Sequence, residues 1–326
     1  MHLAIGSILK SSTRRLGDKF NILTFSTHER YQSNMADVNA NFWTINNPKI
    51  KSWNTNFAEV PNNHILLNNI WVLTDIPIYI EYDAVLSQSK FSQFSLAKKI
   101  ANHFNIPLIS LEHTEMVNQR SNLKHMVGDV NIFISEYSAK TWEVNYDCYV
   151  IEHGINSSVF HNKNIKRENK ILSVVNDWIN RDFECGYCLW KEITENLPVT
   201  VVGNTPNLSK AAKNTDELID IYNRHLIFLN TSTYSPVPTT LLEAMSCGCC
   251  VISTENEMIN KIIENGKNGF ISNDKFELRK YLDICLKDTE LCKKMGKSAR
   301  ETIIEKFSIS DFTENWNTVL KETLEK

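Results

Sequence analysis

The sequence lacks the features that would assign it to a special class of protein. Among 326 residues there are only ten glycines and eight prolines, so collagen-like repeats and low-complexity disorder are excluded. No apolar run approaches the roughly 20 residues that a membrane-spanning helix needs. Charge of one sign is not in excess, since 35 Lys and Arg stand against 38 Asp and Glu. No global charge therefore draws the chain to nucleic acid or to an anionic membrane.

What is present is the composition of an ordered globular protein, with 42% hydrophobic residues. At about 100–200 residues per domain, the length predicts two domains. From Asn21 onward, short β-branched runs alternate with helical patterns, which is typical of parallel sheets covered by helices. The polar segment 161–170 has no apolar periodicity and predicts a linker. We expect a surface extension over 1–20, one doubly wound α/β domain over 21–163 and a second over 164–307.

The cysteines favour a reduced chain. There are eight, and only Cys185 and Cys188 have the Cys-x-x-Cys spacing of zinc or redox sites. No second such pair accompanies them, and free cysteine commonly acts as a small buried hydrophobe. Residues 1–20 lack the small-residue cleavage site of a secretory signal. A cytoplasmic protein with no bound metal is the simplest interpretation.

The segment 231–272 carries the clearest functional pattern. Residues 235–238 (SPVP) form a strand-to-helix turn, because proline is tolerated where a helix begins. The next N–H groups lack intrahelical partners and, with the helix dipole, favour a phosphate group; they belong to Thr239, Thr240 and Leu241. Glu243 follows on the same helical face and is placed to accept both hydroxyls of a ribose. The alternative is an ordinary core helix with a surface Glu.

The longer string resembles the C-terminal signature of the GT-B glycosyltransferases, family 4-like (group 1). The matching residues are 241–245 (LLEAM), 247–249 (CGC), 251–253 (VIS) and 266–270 (GKNGF). Further segments match in the same order from residue 21 onward. They are 105–109 (NIPLI) with 112–114 (EHT), 133–137 (FISEY), 149–156 (YVIEHGIN), 201–206 (VVGNTP) and 307–316 (FSISDFTENW).

The resemblance implies two facing Rossmann-like domains with the donor site in the cleft, and a C-terminal helix, 308–326, that packs back on the first domain. It implies a retaining glycosyltransferase that moves a sugar from a nucleotide diphosphate, most commonly a UDP-sugar, to an acceptor hydroxyl. Such enzymes usually need no metal, and the Asp-x-Asp metal motif of the other major glycosyltransferase fold is absent from this sequence. The positive charge at the leaving diphosphate must then come from side chains and a helix terminus.

Several residues take candidate roles through this resemblance. Arg181, after the first strand of the second domain, is the candidate diphosphate clamp, although the family's Gly-Arg pair is missing. His113 matches the donor-site His, and His28 and Glu29 follow the first strand, where they would face the acceptor or act as its base. Gly203 and Asn204 lie in the family's Gly-x-Gly-Pro donor turn. The alternatives are a surface Arg, a buried His and a helix-capping turn.

One departure from the family concerns the donor sugar. The first Glu of the family's Glu-x7-Glu pair, which contacts the transferred sugar, is replaced by Ser235, whereas Glu243 corresponds to the ribose-binding member. We hypothesise that the sugar pocket is altered, for a pentose or another donor, and not abolished.

Three other functions stay open. A phage-type enzyme would glycosylate hydroxymethylated pyrimidines in DNA, although residues 1–155 hold 13 Lys and Arg against 14 Asp and Glu. Such an acceptor requires these cations on one face: Lys10, Arg14, Arg15, Lys49, Lys51, Lys90, Lys98 and Lys99. A non-catalytic GT-B binding subunit and a sugar epimerase are the others. The acceptor is a glycan, a lipid or modified DNA.

Overall fold

The computed structural model describes residues 18–91, 93–235 and 237–325. The expected extension over 1–20 therefore lies almost wholly outside the described residues. The chain forms two compact units. The first holds the chain up to Glu152 together with the segment from Phe312, and the second holds His153–Asp311. This division precedes the polar segment 161–170, whose last residues already belong to a strand.

The first unit contains a seven-stranded parallel sheet. Its strands are β1 (Phe20–Phe25), β2 (Ala40–Asn46), β3 (His64–Asn68), β4 (Ala84–Ser87), β5 (Leu108–Glu112), β6 (Val130–Phe133) and β7 (Tyr149–Val150). Their spatial order is β3-β2-β1-β4-β5-β6-β7. The helices are α1 (Glu29–Ser33), α2 (Phe94–Phe104) and α3 (Glu136–Thr141), with 3-10 helices at Leu73–Asp75 and Asn118–His125.

Helix α2 shows how the sequence builds this layer. Its buried residues Phe94, Ala97, Ile100 and Ala101 recur at helical spacing and pack in the core of the unit with apolar side chains of the strands. The helix ends at Asn105, whose φ of 53° is left-handed, a conformation that asparagine tolerates better than most residues.

The C-terminal helix, α11 (Ile309–Leu324), contributes most of its length to the first unit. Phe312, Trp316 and Leu320 recur every four residues and are buried. The Trp316 Nε1 donates a hydrogen bond to Tyr31 Oη at 3.1 Å, and the Phe312 ring lies 5.3 Å from the Tyr31 ring. The helix thus closes the first unit over α1.

The second unit contains a five-stranded parallel sheet in the order β12-β11-β10-β8-β9. Its strands are β8 (Glu168–Val174), β9 (Val199–Val202), β10 (His225–Asn230), β11 (Cys250–Ser253) and β12 (Phe270–Ile271). The helices are α4 (Asp182–Cys185), α5 (Tyr187–Ile193), α6 (Thr215–Arg224), α7 (Thr239–Ser246), α8 (Glu257–Ile262), α9 (Lys275–Lys287) and α10 (Thr289–Lys306). Every residue of β10 and β11 is buried, which explains the apolar runs 226–229 and 250–252 within them.

Each sheet has a point at which the chain reverses its direction of growth. In the first unit, β2 and β3 lie on one side of β1 and β4 on the other; in the second, β9 and β10 lie on opposite sides of β8. Doubly wound sheets bind ligands beyond the carboxyl ends of the strands at such a point. The loops after β1 and β4, and those after β8 and β10, are therefore the places to look for a site.

Strands β2, β3 and β12 were not predicted from the sequence. In β2 (ANFWTIN) polar residues interrupt the apolar pattern, although every residue from Phe42 to Asn46 is paired with β3. Within the described residues, no helix combines the length and the apolar character that crossing a membrane requires.

Candidate active site

The loop after β8 presents Arg181 at the surface of the second unit. The fully buried Trp178 anchors this loop, because its backbone N–H donates to Thr205 Oγ1 at 3.0 Å and its indole N–H to Cys185 O at 2.8 Å. Arg181 itself is exposed, and its Nη1 lies 3.5 Å from Asn176 O. The exposed Arg181 guanidinium thus lies on an anchored loop beside the carboxyl end of β8.

Gly203 and Asn204 are brought to the same loop. A Cβ on Gly203, whose φ is 131°, would lie 1.9 Å from Val175 O, so only glycine fits this approach. The Asn204 N–H donates to Asn176 Oδ1 at 2.8 Å. The turn after β9 is therefore fastened to the loop that carries Arg181.

The loop after β10 is tied to α4. Thr233 N–H donates to Glu184 O at 3.0 Å, and Thr231 Oγ1 donates to Cys185 O at 3.1 Å. A Cβ on Gly186 would lie 2.1 Å from Thr231 O, which again requires glycine. The two loops that flank the reversal point of this sheet are thus joined through α4.

This loop leads into α7, whose N-terminus differs from the expectation in one respect. Leu241 is fully buried and its N–H donates to Pro238 O at 3.0 Å, so the expected unpaired donor at Leu241 is wrong. Thr239 and Thr240, at the helix start, are half-buried. Ser235 is also half-buried, and its carbonyl accepts a hydrogen bond from Asn256 Nδ2 at 3.1 Å.

Glu243 lies inside the second unit. Its side chain is 1% exposed, and its Oε2 accepts a hydrogen bond from Tyr222 Oη at 2.9 Å. The carboxylate is well positioned, but it offers almost no surface to a ligand. Its assignment to a ribose stays a prediction.

Two exposed aromatic rings next to these loops were missed by the sequence analysis. Phe183 on α4 and Tyr234 stack with ring centroids 4.4 Å apart and an interplanar angle of 12°. They are 51% and 42% exposed, which is unusual for two large rings that already contact each other. Their separation by some fifty residues in the sequence concealed the pair.

In the first unit, the structure brings His28 and His113 together. Their ring centroids are 4.5 Å apart, and the Tyr31 ring lies 4.6 Å from His113. His28 is exposed and His113 half-buried. Burial raises the pKa of the Tyr31 phenol, so this hydroxyl stays protonated. The two histidines therefore stand on a fixed aromatic support beyond β1 and β5.

Glu29 has a different position from the one expected of an acceptor-facing base. It is 3% exposed, its Oε2 lies 2.8 Å from Lys51 Nζ, and its Oε1 accepts the Asn54 N–H at 3.2 Å. Lys51 also donates to Thr27 O. Glu29 thus holds the segment after β2 against the β1 loop.

A buried pair of charged residues near the β4 and β5 carboxyl ends was also missed. Lys90 is 3% and Glu112 is 1% exposed. Burial lowers the pKa of Lys90, while Glu112 opposes that shift, and burial raises the pKa of Glu112. Thr114 donates to Glu112 Oε1 through its N–H at 2.9 Å and its hydroxyl at 2.7 Å. Lys90, Glu112 and Thr114 thus form polar contacts inside the first unit, and the two charged groups offer little surface to a ligand.

None of the candidate residues belongs to a metal-ligating cluster. Within the described ranges, one group of three such side chains comes close enough to share an ion, and it consists of cysteines elsewhere in the second unit. It does not include Cys185 and Cys188, of which the first is buried and the second exposed.

Comparison with known proteins agrees with this architecture. The structure superposes on Anabaena HepE in complex with UDP-glucose with a TM-score of 0.70 over 93% of this chain and 99% of that one, at 13% identity. A sucrose-phosphate synthase from Thermosynechococcus elongatus gives a TM-score of 0.68 over 93% and 99%, also at 13% identity. The chain therefore has the GT-B fold.

Sequence comparisons find similarity to glycosyltransferases, mainly in the second unit. Residues 193–302 match the family described as Glycosyl transferases group 1. The "Probable sucrose-phosphate synthase" of Thermosipho melanesiensis is 24% identical over 78% of this chain and 68% of its own length. Two further curated relatives match over only 29% of their own length. Residues 193–302 thus carry the resemblance to the group 1 glycosyltransferases that the sequence motifs indicated.

Proposed function

We propose that this enzyme transfers a sugar from a nucleoside-diphosphate sugar, with UDP as the nucleotide, to an acceptor hydroxyl with retention of anomeric configuration. The observation that carries the proposal is the exposed Arg181 beside the loops after β8 and β10. A guanidinium fork suits diphosphate oxygens. HepE, which shares the fold, was solved in complex with UDP-glucose.

The second unit would hold the donor. As the bond between the sugar C1 and the diphosphate oxygen breaks, negative charge grows on the leaving group. Arg181 and the N-terminal turn of α7, at Thr239 and Thr240, supply the compensating charge, so no catalytic metal is needed. Gly203 and Asn204 line the neighbouring turn. The acceptor oxygen forms the new bond to C1, and its proton passes to the leaving diphosphate.

The first unit would hold the acceptor. His28 is exposed and is the candidate for contact with the acceptor hydroxyl, while the adjacent His113 donates a hydrogen bond to the sugar or the leaving oxygen. Glu29 supports the loop from inside and is assigned no proton transfer. We place the enzyme in the cytoplasm, since none of its eight cysteines is in a disulfide.

We propose that the transferred sugar is a pentose or another sugar and not an ordinary hexose. Ser235 cannot supply the carboxylate that the family's Glu provides, and the preceding residue, Tyr234, offers an exposed ring stacked on Phe183. An exposed aromatic ring here supplies an apolar surface where the family has a carboxylate. Turnover of a panel of UDP-hexoses and UDP-pentoses tests this point, and clear preference for an ordinary UDP-hexose would refute it.

The DNA acceptor receives less support than the sequence suggested. Of the cations that a DNA-binding face requires, Lys51 is paired with Glu29 and Lys90 is buried, and the three before residue 18 lie outside the described residues. Binding to DNA with a steep salt dependence would restore this alternative.

The decisive experiment measures release of UDP from UDP-sugars without acceptor. Slow hydrolysis is expected of the native enzyme and not of Arg181→Ala. Arg224→Ala, which removes another exposed arginine, serves as the control. If calorimetry detects no nucleotide binding and no sugar is released, the protein is a non-catalytic binding subunit. A changed sugar that is still attached to UDP would instead indicate an epimerase.

A further inference from the structure

Three cysteines gather their sulfur atoms in the core of the second unit. They are Cys250 on β11, Cys285 on α9 and Cys292 on α10, all 0% exposed. Their three Sγ atoms lie within 4.8 Å of one another. The thioether of Met295, one turn after Cys292, lies 3.9 Å from the Cys250 Sγ. Four sulfur atoms from three elements therefore converge.

The spacing of these atoms suits a shared metal ion. The Cys250 and Cys285 sulfurs are 3.8 Å apart, whereas a disulfide requires about 2.05 Å. At a metal–thiolate distance of about 2.3 Å, ligands around one ion are separated by about 3.8 Å in a tetrahedron and about 4 Å in a plane. The Cys250 and Cys285 thiols thus already stand at the separation that one ion imposes, and the Cys292 thiol lies within 4.8 Å of both.

We propose that this cluster binds monovalent copper as a structural site. All available ligands are thiol or thioether sulfur, which is the donor set that a soft cation prefers. Structural zinc takes four ligands from cysteine, histidine or carboxylate. Within the described residues, the cluster has only three such ligands, and its fourth donor is a methionine.

Binding requires thiolates, so each thiol that coordinates the ion releases its proton to solvent. The copper stays monovalent, and no oxidant or reductant is consumed. Cys292 lies near the start of the 18-residue α10, where the positive end of the helix dipole favours a thiolate. The resulting negative charge is thereby partly compensated inside the core.

The ion would connect the core to the donor-binding loops. It joins β11 to α9 and α10, and the far end of β11 already holds the loop after β10. There, Asn230 Nδ2 donates to Ser253 Oγ at 2.8 Å, and Thr254 Oγ1 donates to Ser232 O at 2.6 Å. Copper would therefore stabilise the second unit without contacting substrate.

The test uses the full chain, purified anaerobically under reducing conditions, in a Cys148→Ser, Cys188→Ser background. This background removes the two cysteines that are not buried and so suppresses surface binding. Copper(I) is titrated against a chromophoric chelator, and melting is followed in parallel. We expect one copper per chain and a rise in Tm of about 5 °C or more at a hundredfold excess over Kd.

Two variants localise the site. Cys292→Ala should abolish the stoichiometric binding. Met295→Leu nearly conserves volume and should keep the fold, but it should weaken copper binding by about tenfold or more, since even changes around a metal site cost about 10–100-fold. Zinc binding in preference to copper, or copper binding that survives both substitutions, would overturn the proposal. No binding of either metal would also overturn it.

Discussion

The loops that follow the strands place their side chains differently in the two units. In the first, the charged residues that follow the strands are turned inward: Glu29 holds Lys51, and Lys90 lies buried near Glu112. In the second, Arg181, Asn204 and the Phe183 ring remain at the surface on loops that glycines and the buried Trp178 hold in place. In these loops the first unit therefore turns charged side chains inward, whereas the second keeps Arg181 exposed on a backbone that close-packed glycines hold in place. Glu243 of the second unit, buried against Tyr222, is an exception.

The largest expected effect comes from removing the side chain that closes the first unit. Trp316→Ala deletes a fully buried indole and its hydrogen bond to Tyr31, and should cost about 3–5 kcal/mol of unfolding free energy. Hydrogen exchange should show the loss in the first unit while α4–α10 keep their protection. Equal loss of hydrogen-exchange protection in both units would contradict this prediction. The matched control is Trp71→Ala, which changes an exposed tryptophan.

Arg181→Ala should separate activity from stability in the second unit. The side chain is exposed and makes one long contact to Asn176 O, so the melting temperature should stay unchanged. Transfer should fall by about 10²–10³-fold, as for the loss of one charge-stabilising donor at a transition state. Sugar transfer is measured beside Arg224→Ala, which should retain native turnover. A variant with native rates would remove Arg181 from the mechanism.

Acid should destabilise the first unit through His64. This histidine is buried at the start of β3, and burial lowers its pKa from 6.5 to about 3. The folded state thus binds fewer protons than the unfolded state, and stability falls as pH drops from 6.5 toward 3. At pH 5 the loss from this group is about 2 kcal/mol.

His64→Phe should remove that pH dependence. Denaturant titrations at pH 7 and pH 5 measure it, with His103→Phe, which changes an exposed histidine, as the control. His153 in the second unit is also buried, and its pKa falls to about 4, so a residual loss with acid should remain. An unchanged pH dependence in His64→Phe would contradict the assignment.

The smallest effect is expected at Asn256, which caps α8. Its Oδ1 accepts the N–H groups of Met258 and Ile259 at 3.0 and 2.9 Å, and its Nδ2 donates to Ser235 O. Asn256→Ala should cost about 1 kcal/mol. It should also weaken UDP-sugar binding, because it frees the loop before α7. Asn214→Ala, which removes the cap of α6, should lower stability alone.

Much of the fold could be predicted from local pattern. The helical periodicity of residues 94–104 covers the same residues as α2, and the buried strands β10 and β11 contain the apolar runs 226–229 and 250–252. The interrupted strand β2 was missed because its polar residues obscure the alternation, and only its pairing with β1 and β3 reveals it.

Only some residues of the candidate site could be predicted from the sequence. Arg181, Gly203, Asn204 and the start of α7 were selected from motifs whose residues lie close together in the sequence. The stacking of Phe183 on Tyr234 was not, because its two rings belong to separate loops. Nor did any motif indicate that Lys51 would form an ion pair with Glu29.

By itself, the sequence determined the class of the protein: two doubly wound α/β units with a group 1 glycosyltransferase signature. Hydrophobic periodicity and short motifs are local properties, so they survive without coordinates. Only the tertiary structure decided which polar residues are buried inside the fold, such as Glu29 and Glu243, and which are exposed, such as Arg181. It also brought together Cys250, Cys285 and Cys292, a group to which Cys185 and Cys188 do not belong. Such contacts join residues far apart in the chain, and their existence depends on packing rather than on spacing.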